Sequence, residues 1–264
     1  MARTLSATLG AVVEELELEQ PQVVTMQDLQ ELLDRADIKT DAKVVAHRLR
    51  QSGWLLDSGV RGVWEFAPGA HAGPIGHQDP LGQIKAFSSR HATIRPVLAL
   101  ASAAWATGHA DRVPPRPEVT IARGAPTPKP LAAIATVTHF DAYLKPLAAR
   151  GMTAHRPETV LVHMADRPND VRSWASAREW MANLAADANL SDVLVELDRR
   201  PSTTHVRLGY LMQSLRPDIA KRMESHVKSK TWFGPRASLR RHSSTWQVAD
   251  TLLPFDPAQL TPAP

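Results

Sequence analysis

Cysteine is absent from the 264 residues. That single lack excludes disulfides, thiolate zinc sites and a cysteine nucleophile, and it suits a reducing compartment. Aromatic residues make up only 5% of the chain, so the core has to come mainly from Ala, Val and Leu. Long apolar runs are missing too. The longest, Val97 to Ala106, is far short of the roughly 20 residues a membrane helix needs. The N-terminal segment MARTLSATLGAVVEELELEQ has no signal-peptide core and carries acids where a leader has none. A cytoplasmic protein without membrane association is expected.

The familiar motifs of chemistry are absent as well. There is no G-x-S-x-G elbow, no phosphate-binding loop, no dinucleotide fingerprint and no H-E-x-x-H. The 11 histidines are scattered, with His71 and His77 in a Gly- and Pro-rich linker. Glu196 and Asp198 come nearest to the clustered carboxylates of a metal-dependent nuclease. Arg199-Arg200-Pro201 follows them, however, and no lysine takes the expected place. Glu14, Glu15 and Glu17 belong to a helix whose acidic side reads as solvated. The expectation is therefore no catalytic residue, no metal, no cofactor and no enzymatic activity.

What is present is ordinary in bulk: 43% hydrophobic and 22% charged residues, enough for a real core. The net charge is only +4 and the pI about 9.6. With no Cys and 2 Tyr, few groups titrate between neutrality and the lysine range, so a small basic excess lifts the pI. That balance is compatible with nucleic acid without requiring it.

The informative stretch is Val23 to Phe66, which reads as a winged helix-turn-helix. Before it, Leu5, Leu9, Val12, Val13 and Leu16 recur at helical spacing up to Pro21. Thr25 and Asp28 form a capping-box signature ahead of Met26, Leu29, Leu32 and Leu33. A polar turn, Asp37 to Thr40, leads to a third helix that Thr40 or Asp41 can cap and Gly53 can end. Trp54-Leu55-Leu56 and Val63-Trp64-Glu65-Phe66 are the wing strands around the Ser58 to Gly62 tip. With Ala42, Val45 and Leu49 buried, the third helix turns outward Thr40, Lys43, Val44, His47, Arg48 and Gln51. These side chains suit base edges and phosphates, and Arg61 at the wing tip suits the backbone or a narrow minor groove. Winged modules also bind proteins, and Asp41 would repel phosphate unless it caps the helix.

Pro68 to Gln78 marks a boundary, giving a winged domain at 1–70 and a larger mixed domain at 71–264. In the second domain, helices are expected from Asp79-Pro80 to about Arg90 and from Pro96 to near Gly108. Strands are expected at Glu118 to Ala122 and Leu131 to Thr138. Further helices are expected at Trp174 to Ala186, Leu190 to Asp198, Val206 to Leu215 and Asp218 to Lys228. Thr159 to Met164 fits a strand or a helix start equally. From Leu253 the proline-rich tail reads as frayed. A second basic concentration runs through Arg207, Arg216, Lys221, Arg222, Lys228, Lys230, Arg236, Arg240 and Arg241. Trp232, Phe233 and Trp246 interleave with it, a pattern compatible with nucleic acid or an acidic partner and equally with a solvated surface.

Taken in order, several segments resemble the AbiEi family of antitoxins from bacterial toxin–antitoxin systems of the abortive-infection type. They are the wing WLLDSGVRGVWEFAPG followed by Asp79-Pro80-Leu81, the small-residue helix Ala101 to Gly108, the strand PEVTIARG, Arg156-Pro157-Glu158-Thr159, Val206 to Leu211, and Ser244 to Val248. Two departures stand out: Trp64-Glu65-Phe66 where many relatives have a tyrosine, and the long Ala- and Pro-rich region from Val97 to Pro130. The resemblance implies an α+β protein, a winged helix followed by an antitoxin domain, active in phage defence. It implies autorepression through double-stranded promoter DNA, with self-association on DNA repeats, and neutralisation of a cognate nucleotidyltransferase-like toxin with or without direct binding. The residues themselves leave open a winged-helix regulator whose C-terminal domain senses a small molecule or a protein.

Overall fold

A computed structural model describes residues 6–21, 23–69, 79–91 and 93–263. Leu5, and the linker histidines His71 and His77, lie outside the described residues. The chain is α+β and divides by internal contacts into two compact units, 1–95 with 128–134, and 96–127 with 135–264.

In the first unit, α1 (Ala7–Glu19) starts where the Ser6 hydroxyl accepts the Leu9 N–H, and it stops where Gln20 turns left-handed before Pro21. Leu9, Val12, Val13 and Leu16 are buried as their spacing requires. β1 (Val23–Thr25) runs directly into α2 (Met26–Arg35). The capping box is formed at that junction: Thr25 N–H donates to Asp28 Oδ2 at 2.8 Å, and Asp28 N–H to Thr25 Oγ1 at 3.1 Å. Two otherwise orphaned backbone donors are thereby satisfied. α3 (Ala42–Gln51) is capped by Asp41, whose Oδ1 accepts the Lys43 N–H at 2.8 Å. Gly53, at φ 76°, closes it, with Trp54 N–H reaching back to Leu49 O at 2.8 Å. This is the left-handed ending that glycine adopts without a Cβ penalty.

β2 (Leu55–Asp57) and β3 (Val63–Phe66) pair antiparallel, and β1 pairs with the other edge of β3, giving the order β1-β3-β2. The tip is tied down by Ser58, whose buried hydroxyl donates to Val63 O at 2.7 Å. Leu29, Leu32, Leu33, Val45, Leu49, Leu55 and Phe66 complete one apolar core with the α1 residues. α4 (Gly82–Arg90) packs on β1 and β3 within this unit.

The second unit holds two sheets. β4 (Val97–Leu98), β5 (Glu118–Ile121), β6 (Thr136–His139), β7 (Leu147–Ala149) and β8 (Met152–Ala154) form a five-stranded mixed sheet in the order β6-β5-β4-β8-β7. β9 (Thr231–Phe233), β10 (Arg241–Ser243) and β11 (Val248–Asp250) form a smaller one in the order β10-β11-β9. α5 (Leu100–Ala106), α7 (Pro157–Asp166), α8 (Trp174–Asp187), α9 (Leu190–Leu197), α10 (Ser202–Met212) and α11 (Pro217–Met223) complete it. The run Thr159 to Met164 is helical, inside α7, because α5, α8, α9 and α10 all pack around it. A helix covered on every side reads as a featureless apolar run. Gly209 on α10 is needed for close approach, since a Cβ there would overlap the Trp246 ring.

The structure corrects several expectations. Asp79 to Arg90, expected in the second domain, falls in the first unit, where α4 packs on β1 and β3. The helix expected after Pro96 begins only at Leu100, because Val97 and Leu98 pair with β5. Leu131 to Thr138 is not one strand: α6 (Lys129–Ile134), grouped with the first unit, precedes β6. Pro130 sits in the first turn of α6, where its missing N–H has no intrahelical partner to lose. Nor is the segment after Leu253 frayed. Leu253, Phe255 and Leu260 are buried, Leu252 and Leu253 N–H groups both donate to Asp250 Oδ1 at 2.9 Å, and Arg241 Nη1 donates to Phe255 O at 2.9 Å. Proline here stiffens an apolar strap instead of loosening it. Among the described residues no helix is long and apolar enough to cross a membrane.

Candidate nucleic-acid interface

On α3 the aliphatic stripe and the polar face separate cleanly. Ala42, Val45, Ala46 and Leu49 are buried, while Lys43, Val44, His47, Arg48 and Gln51 are exposed. Thr40 is half-buried just ahead of the helix. Val44 presents an apolar side chain at 42% exposure, a disposition suited to meeting a methyl group. Asp41 is committed to the cap, its carboxylate accepting the Lys43 backbone N–H at the helix start. Arg48 and Arg50 occupy the last turn, where the helix dipole favours cations.

Two cations beside this face did not emerge from the periodicity. Lys39, in the turn before α3, is exposed. Arg50 is exposed as well and reaches Asp57 of β2 at 3.5 Å. Its position seven residues after Lys43 and three after His47 was the available signal, since those spacings share one helical face. His47, Arg50 and Gln51 face Leu55, Leu56 and Asp57 across a shallow groove between α3 and β2. Arg61 stands exposed on the hairpin tip between Gly59 and Gly62, both at positive φ. Its backbone carbonyl accepts a bond from the Arg90 guanidinium, which anchors the tip to α4.

The second basic concentration is divided by the fold. Lys221 and Arg222 on α11, Lys228 and Lys230 ahead of β9, and Arg236 and Arg240 before β10 are exposed. Lys230 lies 4.9 Å from the Trp232 ring centroid. Arg241 is turned inward instead, onto Asp250 at 2.9 Å and Asp256 at 3.4 Å. Arg207 donates to Trp232 O, and Arg216 to Asp218 and to the Ala185 and Ala188 carbonyls.

Glu196, which a hydrolytic reading singles out, is a structural acceptor. It is fully buried, and its carboxylate receives the Tyr143 and Leu144 N–H groups, the Thr159 hydroxyl and Arg200 Nη2 at 2.9–3.2 Å. Arg200 also covers the Phe140 ring at 4.3 Å and lies 3.6 Å from Asp166. On its other side Phe140 stacks on His163 at 4.2 Å. Burial pushes the His163 ring down from the ordinary histidine range, against the Asp170 carboxylate at 3.1 Å, and His155 to about 3. Asp198 is exposed and pairs with its neighbour Arg199. Among the described residues no group of three or more His, Asp or Glu side chains converges as a metal site.

Residues 97–214 match the family model of the AbiEi antitoxin C-terminal domain. No curated protein matches the chain. Among solved structures the RV2827C protein from Mycobacterium tuberculosis is similar, at 28% identity and a TM-score of 0.79. That match covers 96% of this chain and 94% of the other, so it extends across both units.

Proposed function

For a chain whose residues 97–214 belong to the AbiEi antitoxin C-terminal domain family, we propose an antitoxin that also represses its own operon. In this reading the first unit is a winged helix. α3 enters the major groove of promoter DNA, and the β2–β3 tip with Arg61 meets the backbone or minor groove. The observation that carries it is the face of α3: Lys43, Val44, His47, Arg48 and Gln51 all stand in solvent on a helix capped at both ends. Thr40 flanks its start, and Arg50 extends the face toward β2. Two copies on a repeated operator give self-association on DNA. The second unit neutralises a cognate nucleotidyltransferase-like toxin, and the exposed cations Lys221, Arg222, Lys228, Lys230, Arg236 and Arg240 are its candidate contact surface, whether to toxin or to nucleic acid. Arg241 supports that surface from within. The protein acts in the cytoplasm and needs no cofactor.

A gel-shift titration against the DNA upstream of the gene, with an unrelated duplex as control, tests the first half at two salt concentrations. Preferential binding that weakens steeply with salt is expected. Lys43→Ala and Arg48→Ala should each weaken it by about 1–3 kcal/mol if they read bases. Unchanged affinity in both variants removes α3 from the interface. Co-expression with the neighbouring toxin gene tests the second half, with restored growth expected.

A further inference from the structure

The loop between α5 and β5 and the facing side of α8 enclose a cavity of about 500 Å³ that has no part in the functions above. Its lining includes Glu118, the first residue of β5, only 5% exposed. The Glu118 carboxylate accepts the Ala101 N–H at 2.9 Å. Two carboxylate oxygens offer about four acceptor positions, so that bond leaves it able to accept more. Burial pushes this carboxyl up to about 7. The Trp180 ring, 5% exposed, lines the same space from α8.

The cavity is held open by construction. Asn183 Nδ2 donates to His109 O at 3.0 Å, and His109 Nε2 meets Asp187 at 2.9 Å, so the loop is tied to α8 at one end. Beyond that tie Pro114, Pro115 and Pro117 fix φ along the loop. Arg112 and Arg172 line it from the exposed side, as do the carboxylates of Asp111 and Glu179.

We propose that this cavity binds a purine mononucleotide, its base inward against Glu118 and Trp180 and its phosphate outward at Arg112 and Arg172. The volume lies within the range of small-molecule sites, about 300–1,000 Å³. A buried carboxylate calls for N–H donors, and the guanine edge supplies two side by side. Trp180 adds an aromatic side chain to the lining beside the base. Guanidinium groups bond phosphate oxygens in pairs. A bare inorganic anion would meet Glu118 unfavourably, and a simple amine would make no use of Arg112 or of the Arg172 N–H groups that Thr136 Oγ1 does not accept. Asp111 and Glu179 limit the negative charge the outer side accepts, which favours a monophosphate over a triphosphate.

Calorimetric titration of the full chain with GMP, AMP, guanosine and orthophosphate at pH 8 tests this. Saturable 1:1 binding of GMP is expected, with AMP weaker, and guanosine and orthophosphate weaker by at least tenfold. Ser176→Trp, at an exposed position of α8 that lines the cavity, should plug it and abolish the heat. Glu118→Gln, which presents one donor and one acceptor, should shift preference from GMP toward AMP and decides the matter should the plugged variant not fold. Lys43→Ala with Arg48→Ala should leave GMP binding intact, which separates this site from the DNA face. Absence of saturable binding by either nucleotide overturns the proposal. So does GMP binding that is unchanged both in folded Ser176→Trp and in Glu118→Gln, or guanosine binding as tightly as GMP.

Discussion

On α3 the charged side chains stand in water above an aliphatic stripe; at the ends of α7 and α9, and in the turn between α9 and α10, charged side chains point into the core and bond one another. Lys43, Arg48 and Gln51 touch little and are free to meet a partner. Glu196, Arg200 and Asp166 are each held by several groups from different elements. The first arrangement can be truncated cheaply and read out as lost binding. The second cannot, because removing one partner strands another charge away from water. The exposed charge on α3 is thus available to a partner, whereas the buried charge around Glu196 holds the second unit together.

Breaking the buried hub should give the largest effect. Glu196→Ala removes the carboxylate that accepts from Arg200 Nη2, the Thr159 hydroxyl and two backbone N–H groups, and a loss of about 3–5 kcal/mol is expected in urea unfolding. A loss below about 1 kcal/mol would mean that the hub stabilises no more than a surface pair.

Titration sharpens the same contrast. His155, held near 3 in the fold against an ordinary 6.5, takes up a proton only on unfolding. The stability it confers is present above pH 6.5 and falls as pH drops, by about 2 kcal/mol at pH 5. His163 shifts the same way through burial. Glu118, held near 7 against 4.5, works in the opposite sense: its contribution is full below about pH 4.5 and is lost as pH rises to 7. The two trends offset one another between pH 5 and 7. Glu118→Gln should remove one of them, leaving stability that climbs with pH over that window. An identical pH slope in both chains would take Glu118 out of the balance.

Smaller effects are expected on the first unit. Asp41→Ala removes the cap of α3 and should cost about 1 kcal/mol, measurable as a lower unfolding midpoint. Lys43→Ala and Arg48→Ala should change stability by less than about 0.5 kcal/mol, while weakening DNA binding if the proposed interface is right. Equal losses of stability and binding in those two variants would erase the distinction between the units.

Much of the first unit was legible residue by residue. Thr25 with Asp28 specified a capping box, Asp41 and Gly53 bounded α3, and the apolar spacing of Val45 and Leu49 assigned its inner side. Every one of those signals acts within a few residues of itself, and the elements are half-exposed, so periodicity maps onto burial. The second unit resisted for the converse reason. α7 is covered all round, so Thr159 to Met164 carries no periodic contrast. Leu131 to Thr138 hides a change from helix to strand that only its neighbours enforce. The strap after Leu253 is ordered by Asp250 and Arg241, which no local pattern announces.

The sequence by itself determined the helix caps, the hairpin with its glycine-flanked tip and the polar face of α3, since these depend on contacts a few positions apart. Only the tertiary structure decided that Glu196 is a buried acceptor, that Arg241 turns inward while Arg240 does not, and that Glu118 and Trp180 line one cavity. Those outcomes rest on partners beyond the reach of local spacing, nine residues away for Arg241 and Asp250 and 37 to 53 for Glu196 with Thr159 and Tyr143, and burial, unlike capping, is a property of the assembled chain.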